Sequence, residues 1–340
     1  MLKRQLGRSE IEVSALGLGC WAIGGPWHDG KTGEAFGWGQ VNDQESIAAI
    51  HCAMDAGITF IDTADNYGAG HSERVIGQAL KGRRSQVVLA TKFGNVTNEQ
   101  TKEATGQKAS RAYIKQACEA SLRRLNTDYI DLYQFHLNDY PEELAPEVME
   151  VLEELAVEGK IRYFGWSTDY PERARIFAEN PHCTAIQHDM NLFKDNADMI
   201  RLCEEQQLAS INRGPLAMGL LTGKYSDAVT VTDSNDIRSR SDLSWLTYFK
   251  NGVPAPDMIT QLNNIREILT SGGRSLTQGA LAWLWGRSES TIPIPGFRNV
   301  TQVMENVKAA EFGPLSREQM EQIELLLAQQ GDKSAASSGE

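Results

Sequence analysis

Residues 57–94 read GITFIDTADNYGAGHSERVIGQALKGRRSQVVLATKFG and contain one complete architectural unit. The apolar run 58–62 is too short for a buried helix and carries the β-branched and aromatic residues that suit a strand. A second such run follows at 87–91, and between them residues 72–80 repeat apolar side chains at helical spacing. Strand, helix and strand in that order read as two parallel neighbours joined by a crossover helix.

The same alternation continues in both directions. Short apolar runs recur at 15–19, 130–133, 161–165, 185–187, 209–212 and 291–294. Amphipathic stretches at 44–56, 110–125, 141–158, 195–206, 276–286 and 299–310 are each long enough to return the chain across a sheet. Eight evenly spaced runs with no linker between halves predict an α/β fold, a (β/α)8 TIM-type barrel over residues 1–330 as a single domain. Residues 3–5 and 12–14, around the turn Gly7-Arg8, read as an N-terminal hairpin plugging the barrel floor. Three segments break the rhythm: 24–41, the polar stretch 97–107, and 225–256 before a helix at about 257–269. Long loops of this kind are expected as lids or substrate walls on the C-terminal face. The tail GDKSAASSGE, residues 331–340, is expected to be disordered.

Composition narrows the function. With 340 residues and 41% hydrophobic content the chain can bury a large core. A formal net charge of −12 argues against a nucleic-acid or anionic-membrane partner, while leaving room for a local cationic pocket that holds one phosphorylated ligand. The five cysteines, Cys20, Cys52, Cys118, Cys183 and Cys203, are odd in number and include no C-x-x-C pair. They read as reduced thiols, and no metal site is expected from them. With no run of 18 apolar residues and no signal-peptide pattern at the start, the expectation is a cytoplasmic enzyme with a small-molecule partner. An oligomer is left open.

Gly17-Leu18-Gly19-Cys20-Trp21-Ala22 matches the G-x-G-x-x-A dinucleotide fingerprint, which requires the turn to open directly into a helix. The residues that follow, Ile23-Gly24-Gly25-Pro26-Trp27, cannot supply one, because Gly and Pro cost a helix interior about 1 and 3 kcal/mol. These glycines read instead as the end of the first barrel strand, where backbone approaches a ligand closely.

Barrel enzymes carry reactive groups at the C-terminal ends of their strands. Asp62 ends the run 58–62, Lys92 follows 87–91, His136 follows 130–133, and Tyr67 lies in the loop after Asp62. A phenol is a weak acid unless its anion is stabilised. Lys92 is expected to lower the pKa of Tyr67, Asp62 to keep Lys92 charged, and His136 to orient and polarise a carbonyl.

The strings GITFIDTADNYG (57–68), ATKFG (90–94) and DLYQFH (131–136) together resemble the sequential catalytic blocks of the aldo-keto reductase superfamily, and the likeness covers most of the chain. That resemblance implies a barrel without a Rossmann fold, NADP(H) as cofactor, and reduction of aldehydes or ketones to alcohols. Hydride would come from the nicotinamide, with Tyr67 as general acid. Around Ile292-Pro293-Ile294-Pro295-Gly296-Phe297-Arg298-Asn299, a strand runs into a helix whose Asn299 and Gln302 have the form of a capping box, and Arg298 can clamp a 2′-phosphate. By resemblance, Gly296, Phe297, Gln302, Glu305 and Asn306 surround the adenosine end. Ser167, Thr168 and Gln187 stand beside the carboxamide, while Asn212, Arg213, Gly214, Pro215, Leu216, Gly219, Leu221 and Lys224 line the ribose and pyrophosphate. Cys20, Trp21 and Asp62 complete the expected cofactor contacts. Two positions depart from the pattern: Arg213 stands where many relatives have a stacking tyrosine, and Thr168 where many have asparagine. A guanidinium can stack on a ring, so Arg213 is expected to replace the phenol. Trp21, Trp27, Tyr67 and His136 are the expected substrate contacts, with Trp38 nearby.

Two other readings compete. A cofactor-binding regulatory or channel-associated subunit could keep the barrel and turn over little. A metal-dependent hydrolase would need His51, His71, His136 or His188 as ligands, and these lack a paired spacing.

Overall fold

The computed structural model describes residues 1–225 and 229–337. All eight expected runs are strands: Gly17–Gly19, Phe60–Asp62, Val88–Phe93, Ile130–Phe135, Ile161–Ser167, Cys183–Asp189, Ala209–Arg213 and Thr291–Pro293. They pair in parallel, each beside its neighbour in the chain. First and last strands meet at a single bridge between Gly19 and Gly296, where the Gly19 N–H donates to the Pro295 carbonyl at 3.0 Å. A Cβ on Gly19 would stand 2.4 Å from the Ile294 carbonyl oxygen. Gly19 at the end of the first strand therefore serves barrel closure.

Strand alternation divides the side chains between two layers. Phe60, Ala90, Leu132, Ala185, Ala209, Ile211 and Ile292 form a closed cluster with Leu6 and Val13, which flank and belong to the hairpin Lys3–Gln5 with Glu12–Ser14. This is the plugged barrel floor. Intervening residues such as Ile61, Leu89, Tyr133 and Ile186 pack outward into a larger core with the helices. Two residues beyond the inner apolar layer, on the same face of the second, third, fourth and sixth strands, come Asp62, Lys92, Gln134 and Gln187, all buried. The barrel is thus apolar at its floor and polar toward its mouth, by period two alone.

The helices follow the expected order with small shifts. The one expected at 141–158 is Ala145–Val157, preceded by a 3₁₀ turn at Glu142–Leu144. The helix Pro171–Ala178 between the fifth and sixth strands was not anticipated, because its eight residues are too few to display a period. The polar stretch 97–107 is not an open loop. Strands Asn95–Asn98 and Glu103–Gln107 form an antiparallel hairpin, and His28–Asp29 from the first long loop adds in parallel to its edge. Its exposed Thr, Asn and Gln side chains give no hydrophobic alternation by which to see it. At the C-terminus a helix runs Arg317–Ser337, so 331–337 are helical where disorder was expected; Lys333, Ala335 and Ala336 are good helix formers. Positions 338–340 lie outside the described residues. Among the described residues no helix is long and apolar enough to cross a membrane.

Candidate active site

The polar layer converges on one ammonium. Lys92 is fully buried, and its Nζ donates to Asp62 Oδ1 at 2.5 Å, to the Thr63 carbonyl at 2.8 Å and to the Tyr67 hydroxyl at 3.3 Å. Asp62 is held from its other oxygen, which accepts from Gln134 Nε2 at 2.9 Å and Gln187 Nε2 at 2.8 Å. A buried ion pair survives only when its remaining lone pairs and protons find partners, and here both groups are supplied. Gln134 was missed by sequence reasoning. Its signal was a polar residue in an apolar strand, two positions after the inward-facing Leu132.

Tyr67 is fixed by the backs of two loops. A Cβ on Gly68, whose φ is +60°, would stand 1.8 Å from the Gly24 carbonyl oxygen, so two glycines allow the tyrosine loop to lie against the first long loop. The phenol ring stacks on Trp21 with centroids 5.9 Å apart, and the His136 ring meets it edge-on at 6.0 Å. His136 is anchored by its backbone, its N–H donating to the Phe93 carbonyl at 2.8 Å and its carbonyl accepting from Asn95 Nδ2 at 3.1 Å.

Burial sets the protonation states. It opposes the Lys92 ammonium, but Asp62 and Tyr67 outweigh it and hold the lysine above its ordinary pKa. Burial also pushes Tyr67 above its ordinary value; Lys92 pulls the other way and Asp62 offsets much of that pull. Sequence reasoning expected Lys92 to win; burial of the phenol is the main reason it does not, with the Asp62 charge adding to it. His136 lies well below the usual imidazole range through burial and the cations Lys92 and Arg213, so it is neutral.

The remaining expected residues divide. Arg298, Asn299 and Gln302 line a cleft of about 460 Å³ with Gln40, Val41, Asn42 and Glu45. Arg298 reaches the Gln40 carbonyl through Nη2. Asn299 caps the helix Val300–Phe312 by accepting from Gln302 N at 2.9 Å. The Gln302 side chain accepts from Arg298 N at 2.8 Å, not from Asn299 N, so the expected reciprocal box is displaced by one residue. Glu305 accepts from the Ser275 hydroxyl, and buried Asn306 donates to the Gly296 carbonyl at 3.5 Å. Phe297 and Leu221 are buried in the core, Ser167 is buried at its strand end, and Lys224 is exposed.

Around residues 214–221 the backbone is unusual. Gly214 has φ +63°, and Ala217, Met218 and Gly219 follow with φ of +47°, +55° and +95°. Successive left-handed residues are costly outside glycine, and turns of this kind make anion-binding concavities from backbone N–H groups. Pro215 and half-buried Leu216 lead into this turn.

Four of the expected residues are engaged with the protein itself. Asn212 faces outward, since its neighbour Ile211 belongs to the inner layer; its Nδ2 donates to Ser210 Oγ at 2.9 Å. Cys20 is buried, with its N–H bonded to the Asp62 carbonyl and its own carbonyl bonded to Ser72, so it offers the mouth no polar group. The Thr168 hydroxyl is already spent on the Asn138 carbonyl at 2.7 Å. Trp27 stacks on Phe36 at 5.0 Å as loop packing, whereas Trp21 is the indole beside Tyr67. Arg213 is half-buried at the mouth with its guanidinium tied to Asp169 at 2.7 Å, a partner that sequence reasoning did not identify. The histidines of the hydrolase reading do not converge: His51 binds the Ala79 carbonyl, His71 binds Asp43 and His188 binds Ser210. Among the described residues no three His, Cys, Asp or Glu side chains group as metal ligands.

A parallel eight-stranded barrel with a tyrosine, lysine, aspartate and histidine gathered at its mouth defines a class of oxidoreductase. The aldo/keto reductase family model matches residues 15–328, and the chain belongs to that family. It is 35% identical over 300 residues to aldo-keto reductase YhdN of Bacillus subtilis, covering 86% of this chain and 84% of the relative. Among solved structures, the holo form of aldo-keto reductase AKR11C1 from Bacillus halodurans superposes with TM-score 0.75 at 31% identity over 96% of both chains. A Klebsiella pneumoniae aldo-keto reductase in complex with NADPH gives TM-score 0.68 at 28% identity, over 96% of this chain and 95% of that one.

Proposed function

We propose that the protein reduces aldehydes and ketones to alcohols with NADPH as cofactor and Tyr67 as general acid, residues 1–330 acting as one unit. The observation that carries this reading is the Lys92 ammonium bonded to both the Asp62 carboxylate and the Tyr67 hydroxyl. The cofactor reading is supported by fit. A cleft with one cation, Arg298, and an asparagine-capped helix start suits a phosphate, and the left-handed turn at Ala217, Met218 and Gly219 suits a pyrophosphate. When bound, NADPH supplies the hydride.

The residues of the chain supply the rest. Tyr67 is neutral at ordinary pH, as any phenol is, and burial raises its pKa further, so its proton is available to give. As that proton leaves, negative charge grows on an oxygen 3.3 Å from Lys92 Nζ, where the ammonium compensates it without reorganisation. Neutral His136 has one ring N–H with which to hold a carbonyl oxygen at the same place. Trp21, stacked on the phenol, forms an apolar wall that excludes water. Arg213, tethered by Asp169, offers a flat guanidinium for stacking on the nicotinamide ring.

The test is a panel of aldehydes with NADPH, followed by loss of nicotinamide absorbance. Turnover is expected in the parent enzyme, and Tyr67→Phe should lose about 10²–10⁴-fold or more in kcat while NADPH still binds. An unchanged kcat in Tyr67→Phe would remove the tyrosine from the mechanism.

A further inference from the structure

Arg238 lies in the long loop between the seventh and eighth strands, outside every motif discussed so far, and it contacts several elements above the barrel. Its Nε and Nη2 donate to the two oxygens of Asp236 at 2.9 and 2.6 Å. Nη1 donates to the Tyr225 hydroxyl at 2.6 Å and to the Met218 carbonyl at 3.2 Å. The guanidinium carbon stands 4.8 Å from the Trp38 ring, 5.3 Å from Tyr225 and 5.6 Å from Phe249.

These contacts join the two halves of the site. On one side, Met218 is one of two left-handed, non-glycine residues of the turn assigned to the pyrophosphate, and the N–H of Gly219 donates to the Leu216 carbonyl at 2.8 Å. The peptide unit between Met218 and Gly219 is therefore held at both ends, its oxygen by Arg238 and its N–H by Leu216. Because that unit is planar, fixing both ends fixes the tilt of the turn. On the other side, Trp38 stands edge-on to Trp21 at 5.3 Å, and Trp21 stacks on the reacting phenol. The loop carrying Trp38 is tied to the Arg238 loop by backbone bonds, Ile237 N to the Gly37 carbonyl at 2.8 Å and Gly39 N to the Asn235 carbonyl at 3.1 Å.

We propose that Arg238 is a positioning residue that couples the aromatic wall of the carbonyl pocket to the dinucleotide turn, so that Trp38 contributes to cofactor affinity from across the site. The proposal rests on the cofactor reading above. A guanidinium can meet the Asp236 fork, the Met218 carbonyl and the face of Trp38 together because it is planar with five donors; an ammonium cannot.

The experiment is a double-mutant cycle on NADPH affinity, measured by calorimetric titration of the full chain. Arg238→Lys keeps the charge for Asp236 but gives up the Met218 carbonyl, and should weaken NADPH about tenfold, the order expected for one hydrogen bond to a charged group. Trp38→Ala should weaken NADPH severalfold, and the double variant should bind no worse than Arg238→Lys alone, because the path is already cut. In steady state the cofactor KM should rise more than kcat falls. An unchanged Kd in Trp38→Ala, or losses that multiply in the double variant, would overturn the coupling. If Arg238→Lys does not fold, the Trp38→Ala titration decides by itself. Arg298→Ala serves as the reference: a loss there without one in Arg238→Lys sinks the coupling alone, and no loss in either sinks the cofactor reading with it.

Discussion

Lys92 and Arg298 are both cations at the barrel mouth, and the protein treats them in opposite ways. Lys92 is sealed from water with three partners already in place, two of them side chains of the proposed catalytic set. Arg298 is half-buried on the rim, and its side-chain partner is a backbone carbonyl of the first long loop. For the first, the cost of leaving water was met during folding, so its field is fixed before any ligand arrives. The second keeps much of its hydration and can exchange a neutral partner for an anion. Catalytic preorganisation and ligand capture thus use the same charge at different depths.

The largest effects should come from disturbing the buried cation. Lys92→Met leaves the Asp62 carboxylate buried without its partner, a change expected to cost about 3–5 kcal/mol of stability in addition to turnover. Thermal or denaturant unfolding measures the first and the aldehyde assay the second. Replacing both charges, as Lys92→Met with Asp62→Leu, should recover much of the stability and none of the activity. A Lys92→Met protein as stable as its parent would show that the depth contrast has no energetic content.

A smaller, selective effect is expected at the rim. Arg298→Ala should weaken NADPH about tenfold, with little change for NADH, and the difference should shrink as salt is raised. Titrations of both cofactors at two ionic strengths test this, and equal losses for the two would contradict a phosphate clamp.

The mildest probe is pH. With Tyr67 as the proposed acid, reduction needs it protonated, and burial raises its pKa above the ordinary 10.0, so the alkaline fall in kcat/KM is expected above pH 10. His136 is depressed well below 6.5 and stays neutral, so no inflection should appear near 6.5. A profile with an acid limb centred there would mean that burial and the nearby cations do not keep the imidazole neutral.

Much of the barrel was legible because buried parallel strands are written as short apolar runs, and the tetrad because strand ends are the place to look. Parity could have given more. Once Ile211 is inward, Asn212 must be outward, and Gln134 stands two residues above Leu132 just as Asp62 stands above Phe60. Other features leave no local mark. The tether from Asp169 to Arg213 and the reach of Arg238 to Met218 join residues from separate loops, and only the folded chain brings them together. The sign of the Tyr67 shift was misjudged for a related reason, since it depends first on how deeply the phenol is buried, which no local sequence pattern records.

The meeting of Gly19 with Pro295 has a consequence for the nascent chain. The first barrel strand can close the ring only against the last of the eight, so the other strands must form with one flank unpaired until that strand is made. Contacts of such long range are slow to form. Arg298 and Gln40 bridge the same join from above, and a nucleotide seated there would act as a clip on the last stave of the cask.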